Sequence, residues 1–380
     1  MSPEKKKRRP PTGRAELDQV VVTAIEEMAG VIHKTIRAGR KPVLAFPVRN
    51  LGNVSYDHEK GYLEIGDAKS ERTLTLTTAK SFAQTLLMME LSRKHVREDE
   101  HSTKREAYYI SKNWADARFD AQEESDTVLD DVEAMFAERG ITREQLRFTP
   151  EEHGGKIAGE LIVVDRDEET QADVFVDCTA FGTASYAIPS DVEHLRFETK
   201  AKFVLCIETG GVFDRLNRKK FWRDHNCILV EMGGVPSRAC RRFVRRLADD
   251  TRIPVYAFTD CDPYGFANIY RTLKAGSGNA AHINQFYCVP QASFLGVTPD
   301  DIEKYGLETH PLKPVDVKRA QDALKNDPFF SSHKPWVKAI EKQIRMGQRA
   351  EQQAFAKDGL DFVYKNYLPE KLANVKAFLP

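Results

Sequence analysis

No sign of charge dominates this chain: 57 lysines and arginines stand against 57 aspartates and glutamates over 380 residues. A formal net charge of zero excludes a global basic field for polyanions, so any nucleic-acid surface must come from local clustering. Long apolar runs are missing too. None approaches the ~20 residues a membrane-spanning helix needs, so no contact with a membrane is expected. The basic start of the chain is followed by no apolar stretch and does not read as a secretory leader. None of the six cysteines (Cys178, Cys206, Cys227, Cys240, Cys261 and Cys288) belongs to a Cys-x-x-Cys pair. They read as small buried thiols in a reducing compartment, not as a disulfide or zinc framework. Neither a Gly-x-x-x-x-Gly-Lys-Ser/Thr loop nor an Asp-x-Gly-x-Gly loop occurs, so no familiar nucleotide-binding loop is present.

What is present begins with residues 254–265, Pro-Val-Tyr-Ala-Phe-Thr-Asp-Cys-Asp-Pro-Tyr-Gly. An apolar run ends in Asp260 and Asp262, followed by a proline and a glycine. It reads as a buried strand that presents two carboxylates on a tight turn at its C-terminal end. Open α/β sheets place their sites at such ends. Two hard oxygen ligands suit Mg²⁺, although Asp-Pro also simply initiates turns. The run at 203–207 likewise ends in Glu208 and Thr-Gly-Gly, and the run at 227–230 ends in Glu231-Met-Gly-Gly. Helical patterns at 212–221 and 237–249 separate these runs, which implies a parallel sheet with right-handed crossovers. Sequential parallel strands place Glu208 at the same sheet edge as Asp260 and Asp262. A glutamate after one strand and an Asp-x-Asp after a later one resembles the Toprim domain of topoisomerases and DnaG-type primases.

Upstream, residues 1–13 are rich in Lys, Arg and Pro. They read as a disordered basic tail, or as a localisation patch or nucleic-acid arm. Residues 14–70 should hold a helix, with Leu17, Val20, Val21, Ala24, Ile25, Met28, Val31 and Ile32 in helical period, and then short strands. From 71 to 190 the pattern predicts a helix capped by Thr77 or Thr78 and running to about Arg93, a short helix over 104–110, and a third over 125–139 striped by Val128, Leu129, Val132, Met135 and Phe136. The strand-like run at 156–164 follows. Three helices and a strand suggest a winged helix, a DNA-docking module. Residues 191–380 should form the parallel-sheet domain with a C-terminal extension.

Residues 102–110, Ser-Thr-Lys-Arg-Glu-Ala-Tyr-Tyr-Ile, carry the most specific signal. Basic residues before a Tyr-Tyr pair resemble the active-site motif of the DNA topoisomerase VI A-subunit family (type IIB), which the meiotic double-strand-break transesterases share. The resemblance runs from about residue 14 onward. It includes the stretches at 49–54, 260–265, 294–297, 345–353 and 367–371. It implies an α/β multidomain chain, a winged-helix (CAP-like) domain followed by a Toprim domain. It makes Tyr109 the nucleophile and Glu208, Asp260 and Asp262 the Mg²⁺ site. It also implies an ATPase partner, the topoisomerase VI B-subunit, which binds ATP in place of this chain, in an A2B2 heterotetramer on double-stranded DNA. An archaeal, cytoplasmic and nucleoid-associated setting follows from the same resemblance. One departure is the loop Gly233-Gly234-Val235-Pro236, which lacks a lysine that many members carry.

The residues themselves support this chemistry. A free tyrosine has a pKa near ~10 and needs positive charge or a base to attack at neutral pH. Lys104 and Arg105 are candidates, and on a helix Arg105 lies four residues from Tyr109 on one face, whereas Tyr108 points elsewhere. The bland alternative makes both tyrosines half-buried packing residues. Glu208 and Asp260 are expected as direct Mg²⁺ ligands, with Asp262 acting on a second ion or through water. Arg238, Arg241, Arg242 and Arg245 recur at i, i+3, i+4, i+7. With Arg246 they read as a DNA-backbone stripe or a solvated face, and Lys104 as a further DNA contact. The helix at 17–36 is either a docking element for the partner or part of the core. Competing functions are a break-forming transesterase that does not reseal, a Toprim nuclease or primase, and a DNA-binding scaffold without catalysis.

Overall fold

A computed structural model describes residues 14–150, 154–167 and 169–380. The basic tail expected at 1–13 lies outside them. The chain divides into two compact units. The first holds residues 14–48 and 67–150, and the second holds 49–66 and the described residues from 154 onward.

In the first unit, α1 (Arg14–Arg37) buries Val21, Ala24, Ile25 and Ile32 of the stripe its periodicity predicts and leaves Val20 and Val31 exposed. Strand β1 (Val43–Pro47) follows. The next hairpin, β2 (Val54–Asp57) with β3 (Tyr62–Ile65), belongs to the second unit. Strand β4 (Lys69–Thr73) returns to pair antiparallel with β1, from Val43 opposite Thr73 to Pro47 opposite Lys69. Helix α2 (Ala79–Glu98) runs past Arg93 and stops at Asp99, whose φ of 54° turns the backbone left-handed. Thr78 sits at its start but does not cap it with its side chain. The hydroxyl accepts from the Thr75 N–H and donates to the Thr73 carbonyl. After β5 (Ser102–Thr103) comes α3 (Lys104–Ile110), then α4 (Gln122–Ala137) and β6 (Phe148–Thr149), which pairs parallel with β5. All five apolar stripe residues expected for the third helix are buried in α4.

The second unit opens with β7 (Lys156–Gly159), β8 (Ile162–Arg166), β9 (Asp173–Asp177), β10 (Tyr186–Ala187) and β11 (Arg196–Glu198). It continues through β12 (Phe203–Ile207), α5 (Gly210–Arg218), α6 (Phe221–His225), β13 (Cys227–Glu231), α7 (Arg238–Thr251), β14 (Val255–Phe258) and β15 (Ala292–Gly296). A six-stranded sheet has the order β10-β7-β13-β12-β14-β15. Its strands β13, β12, β14 and β15 are parallel, and β7 and β10 extend it antiparallel. A separate antiparallel sheet has the order β11-β8-β9.

This topology corrects the expected domain limits of 71–190 and 191–380. Strand β7 lies in register with β13, Ile157 opposite Val230, and β8 lies in the three-stranded sheet, so the run at 156–164 expected to complete the helical domain belongs to the sheets of the second unit. Residues 14–70 are likewise no body of their own, because they divide between the two units.

Strand β12 is buried along all five residues, as a parallel strand covered on both faces must be. Alternate side chains enter opposite cores. Val204 and Cys206 join Phe243, Val244 and Leu247 of α7. Leu205 and Ile207 join Val212, Phe213 and Leu216 of α5. The C-terminal region covers both faces as well, with Phe329, Phe330 and Trp336 on one side and Phe355, Tyr367 and Leu368 on the other. All six cysteines are free and buried, in line with their reading as packed thiols.

Candidate active site

Helix α3 positions the tyrosine pair. Its start is fixed by a capping box: Thr103 Oγ1 accepts from the Glu106 N–H at 3.1 Å, and Glu106 Oε2 accepts from the Thr103 N–H at 2.7 Å. From that start, Arg105 and Tyr109 fall one turn apart on the exposed face, with Tyr109 57% exposed. Arg105 has no carboxylate partner among the described residues. Tyr108 is committed elsewhere. Lys112 Nζ lies 4.0 Å over its ring centroid, and its hydroxyl donates to the Asp120 carbonyl at 3.4 Å. The packing role therefore falls on Tyr108 and not on Tyr109. Lys104 is held by Asp130, Nζ to Oδ1 at 2.9 Å.

The carboxylates meet at the C-terminal ends of β12 and β14. These strands are neighbours, with Ile207 opposite Phe258, so the residues just beyond them are adjacent. The Glu208 N–H donates to the Phe258 carbonyl at 3.0 Å, and the Asp260 N–H donates to Glu208 Oε2 at 2.9 Å. Asp260 Oδ1 accepts from the Gln352 N–H at 2.8 Å. Asp262 Oδ1 accepts from the Gly265 N–H at 2.5 Å, closing the turn that Pro263 and Gly265 shape. A Cβ on Gly265 would lie 2.6 Å from the Asp260 carbonyl oxygen, so only glycine fits there. Cys261, between the two aspartates, is buried and packs, as its alternation predicts.

The charge here is only partly compensated. Burial, then the Asp260 charge, raises the Glu208 carboxyl to about 8. Burial also lifts Asp260, to about 6, against the opposing pull of the Gln352 N–H. Asp262 is raised for the same first reason, burial. The nearest cation is Arg349, whose Nη1 lies 3.8 Å from Asp262 Oδ2. Glu231, at the end of β13, differs: Lys156 neutralises it at 2.8 Å. Among the described residues no three acidic, His or Cys side chains converge as a ready coordination cage. The donor set fits Mg²⁺ of the open kind, which takes one or two carboxylates and leaves its other positions to water and a phosphate.

The arginine stripe is corrected by the structure. It faces the protein, not solvent. Arg238 donates to Tyr287 Oη at 3.0 Å and lies over that ring, and Arg241 is buried beside it. Arg242 clasps Glu193 with both oxygens at 2.6 and 2.7 Å and also donates to the Phe286 carbonyl. Arg245 binds Asp249 and the Cys288 carbonyl, and Arg246 binds the Leu195 and Val192 carbonyls. These side chains fasten α7 to the segments at 192–195 and 286–288. The sequence reading missed Thr209, Arg349 and Gln352 beside the carboxylates. Two of the three lie in the 345–353 stretch, which was visible as a signature without a role.

Comparison with known proteins gives the class first. Residues 203–372 match the Toprim-domain family of the topoisomerase 6 A-subunit and Spo11, so the parallel sheet that carries the carboxylates is a Toprim domain. Residues 151–201 match an "All-beta domain in DNA topoisomerase VI alpha subunit", and residues 80–147 match "Type IIB DNA topoisomerase". The chain is 47% identical to a type 2 DNA topoisomerase 6 A-subunit of Methanocaldococcus jannaschii, across 95% of this chain and 97% of that one. Proteins of the same name from Pyrococcus abyssi and Halobacterium salinarum are 36% and 38% identical, across 98% and 89% of this chain and 99% and 91% of theirs. The chain belongs to the topoisomerase 6 A-subunit family and is an enzyme component of that class.

Proposed function

We propose that this chain cleaves and rejoins DNA through Tyr109 as the strand-breaking component of a type IIB topoisomerase. The phenolate oxygen attacks a backbone phosphorus and displaces the 3′ oxygen, leaving a 5′-phosphotyrosyl link and a free 3′ hydroxyl. The energy of the phosphodiester is retained, so resealing is the reverse attack and consumes nothing. Arg105, one turn away on the same exposed face, supplies positive charge for the anion that develops at the phosphate. Glu208, Asp260 and Asp262 would hold Mg²⁺, with Glu208 and Asp260 as the direct ligands, and the cation would supply charge neutralisation at the scissile phosphate and support for the leaving oxygen. Without the cation, Glu208 holds a proton near neutral pH, since burial and the Asp260 charge raise it to about 8.

The observation that carries this reading is the division of labour in the tyrosine pair, with Tyr109 exposed beside Arg105 and Tyr108 packed. The helical unit, with its antiparallel β1–β4 ribbon in the place of a wing, is the proposed winged-helix DNA-docking domain. Lys104 is a backbone contact that would exchange Asp130 for phosphate. The remaining proposals are an ATPase partner (the topoisomerase VI B-subunit), two copies of each chain in the assembly, and a cytoplasmic, nucleoid-associated setting. No helix among the described residues is long and apolar enough to cross a membrane. The experiment is incubation with the ATPase partner, ATP, Mg²⁺ and supercoiled plasmid, then denaturation. Broken duplex with protein covalently attached at its 5′ ends supports the proposal, and breaks with free ends refute it.

A further inference from the structure

The stretch at 345–353 has a distinctive sequence and no role in the chemistry above. In the fold it is a strap across the carboxylate site. Cys261 and Ala350 form a bridge in both directions, the Cys261 N–H to the Ala350 carbonyl at 2.8 Å and the Ala350 N–H to the Cys261 carbonyl at 3.1 Å. Gln343 Nε2 donates to the same Cys261 carbonyl at 2.8 Å. The strap is thereby pinned between the two aspartates. Two residues on, Gln352 is completely buried and uses three groups at once. Its N–H donates to Asp260 Oδ1, its Oε1 accepts from Thr209 Oγ1 at 2.8 Å, and its Nε2 donates to the Phe258 carbonyl at 2.9 Å.

These three bonds span the ends of both strands that carry the carboxylates. Thr209 follows Glu208, and Phe258 precedes Asp260 by two residues. The Phe258 carbonyl also accepts from the Glu208 N–H. We propose that Gln352 is a positioning residue, an uncharged clamp that fixes the spacing of Glu208 and Asp260 for a divalent cation. The proposal rests on the reading of these carboxylates as the cation site. Two like charges at adjacent strand ends repel, and a lysine or arginine clamp would hold them only by cancelling the charge the cation needs. An amide orients them and leaves that charge in place. The side-chain amide ties Thr209 to the Phe258 carbonyl and so sets the main-chain N–H of Gln352 on Asp260 Oδ1, while the Asp260 N–H occupies Glu208 Oε2. Glu208 Oε1 and Asp260 Oδ2 remain without a protein partner among the described residues. These are the oxygens the clamp presents.

The test titrates Mn²⁺ into the metal-free full-length chain by calorimetry and records its melting temperature in EDTA. Gln352→Ala should weaken Mn²⁺ roughly tenfold or more, as loss of a group that orients a ligand does, relative to the unaltered chain. Thr209→Val, which keeps the shape and removes one hydroxyl donor, should weaken it by a factor of about three and lower its melting temperature in EDTA by only a few degrees, as the buried Gln352 Oε1 loses its donor. Should Gln352→Ala fail to fold, Thr209→Val decides alone. Asp260→Asn separates the two levels of the argument. If it abolishes Mn²⁺ binding while folded Gln352→Ala and Thr209→Val bind as tightly as the parent, the clamp is refuted and the cation site stands. If Asp260→Asn binds Mn²⁺ undiminished, the site reading and the clamp fall together.

Discussion

The main-chain N–H of Asp260 donates to Glu208 Oε2 at 2.9 Å, so the backbone of one strand end grips the carboxylate of its neighbour. The bond orients Glu208 without neutralising it. Burial, then the Asp260 charge, still raises Glu208 to about 8 against the opposing pull of this bond, beside Asp260 at about 6. A site of this kind is unfavourable when empty and ionised, and a cation relieves it.

That cost has a pH signature. Both acids bind protons more tightly in the folded chain than in the unfolded one, where their values are 4.5 and 3.8. The metal-free protein therefore loses stability as pH rises from about 4 through about 8, where the unfolded chain has already given up these protons. Mg²⁺ should cancel the loss. Millimolar Mg²⁺ is expected to raise the melting temperature by about 5 °C at pH 8 and by much less at pH 5. Differential scanning calorimetry at the two pH values checks this, and an equal shift at both would contradict it.

Arg105→Ala should slow cleavage by about 10²-fold, the usual cost of losing one charge that stabilises a developing anion. Arg105→Lys should recover part of that rate, because it restores a charge without the planar fork. Tyr108→Phe should cleave nearly normally, since among the described residues its hydroxyl makes only the 3.4 Å contact with the Asp120 carbonyl. Single-turnover cleavage of a radiolabelled duplex with the ATPase partner present reads all three.

Arg242→Ala should act on stability and not on DNA affinity. The substitution leaves the buried Glu193 carboxylate without its bidentate partner, a loss of about 3 kcal/mol. A residue that bound a phosphate would contribute about 0.9 to the slope of log K against log salt. The slope should be unchanged, and only the melting temperature should fall.

Much of this was legible in the sequence, and the exceptions share a cause. The periodicity of α4 and the Arg105–Tyr109 face are local facts, set within one or two turns, and the structure keeps both. Strand ends rich in carboxylate are local too. The arginine stripe was equally periodic, but period shows only that residues share a face, not what the face meets. Glu193 lies 49 residues from Arg242 in the chain. Gln352 lies 92 residues from Asp260, so its stretch stood out while its task could not. The domain limits failed for the same reason, because β7 finds its partner β13 only after many intervening elements.

Tyr109 and the carboxylates belong to different units of the chain. If two chains assemble so that each Tyr109 serves the carboxylates of its partner, mixing Tyr109→Phe chains with Glu208→Ala chains gives one site with both lesions and one with neither. Such mixtures should nick one strand, although neither parent cleaves. No nicking from verified mixed dimers would show instead that each chain uses its own tyrosine and carboxylates.

The central claim is that Tyr109 forms the bond to DNA. Cleavage complexes trapped by denaturant can be digested with trypsin and nuclease, and the nucleotide-bearing peptide sequenced by mass spectrometry. The account predicts a 5′-phosphoryl adduct on Tyr109, absent from Tyr109→Phe and retained in Tyr108→Phe. An adduct on Tyr108, a 3′ linkage, or an adduct that survives Tyr109→Phe would contradict it.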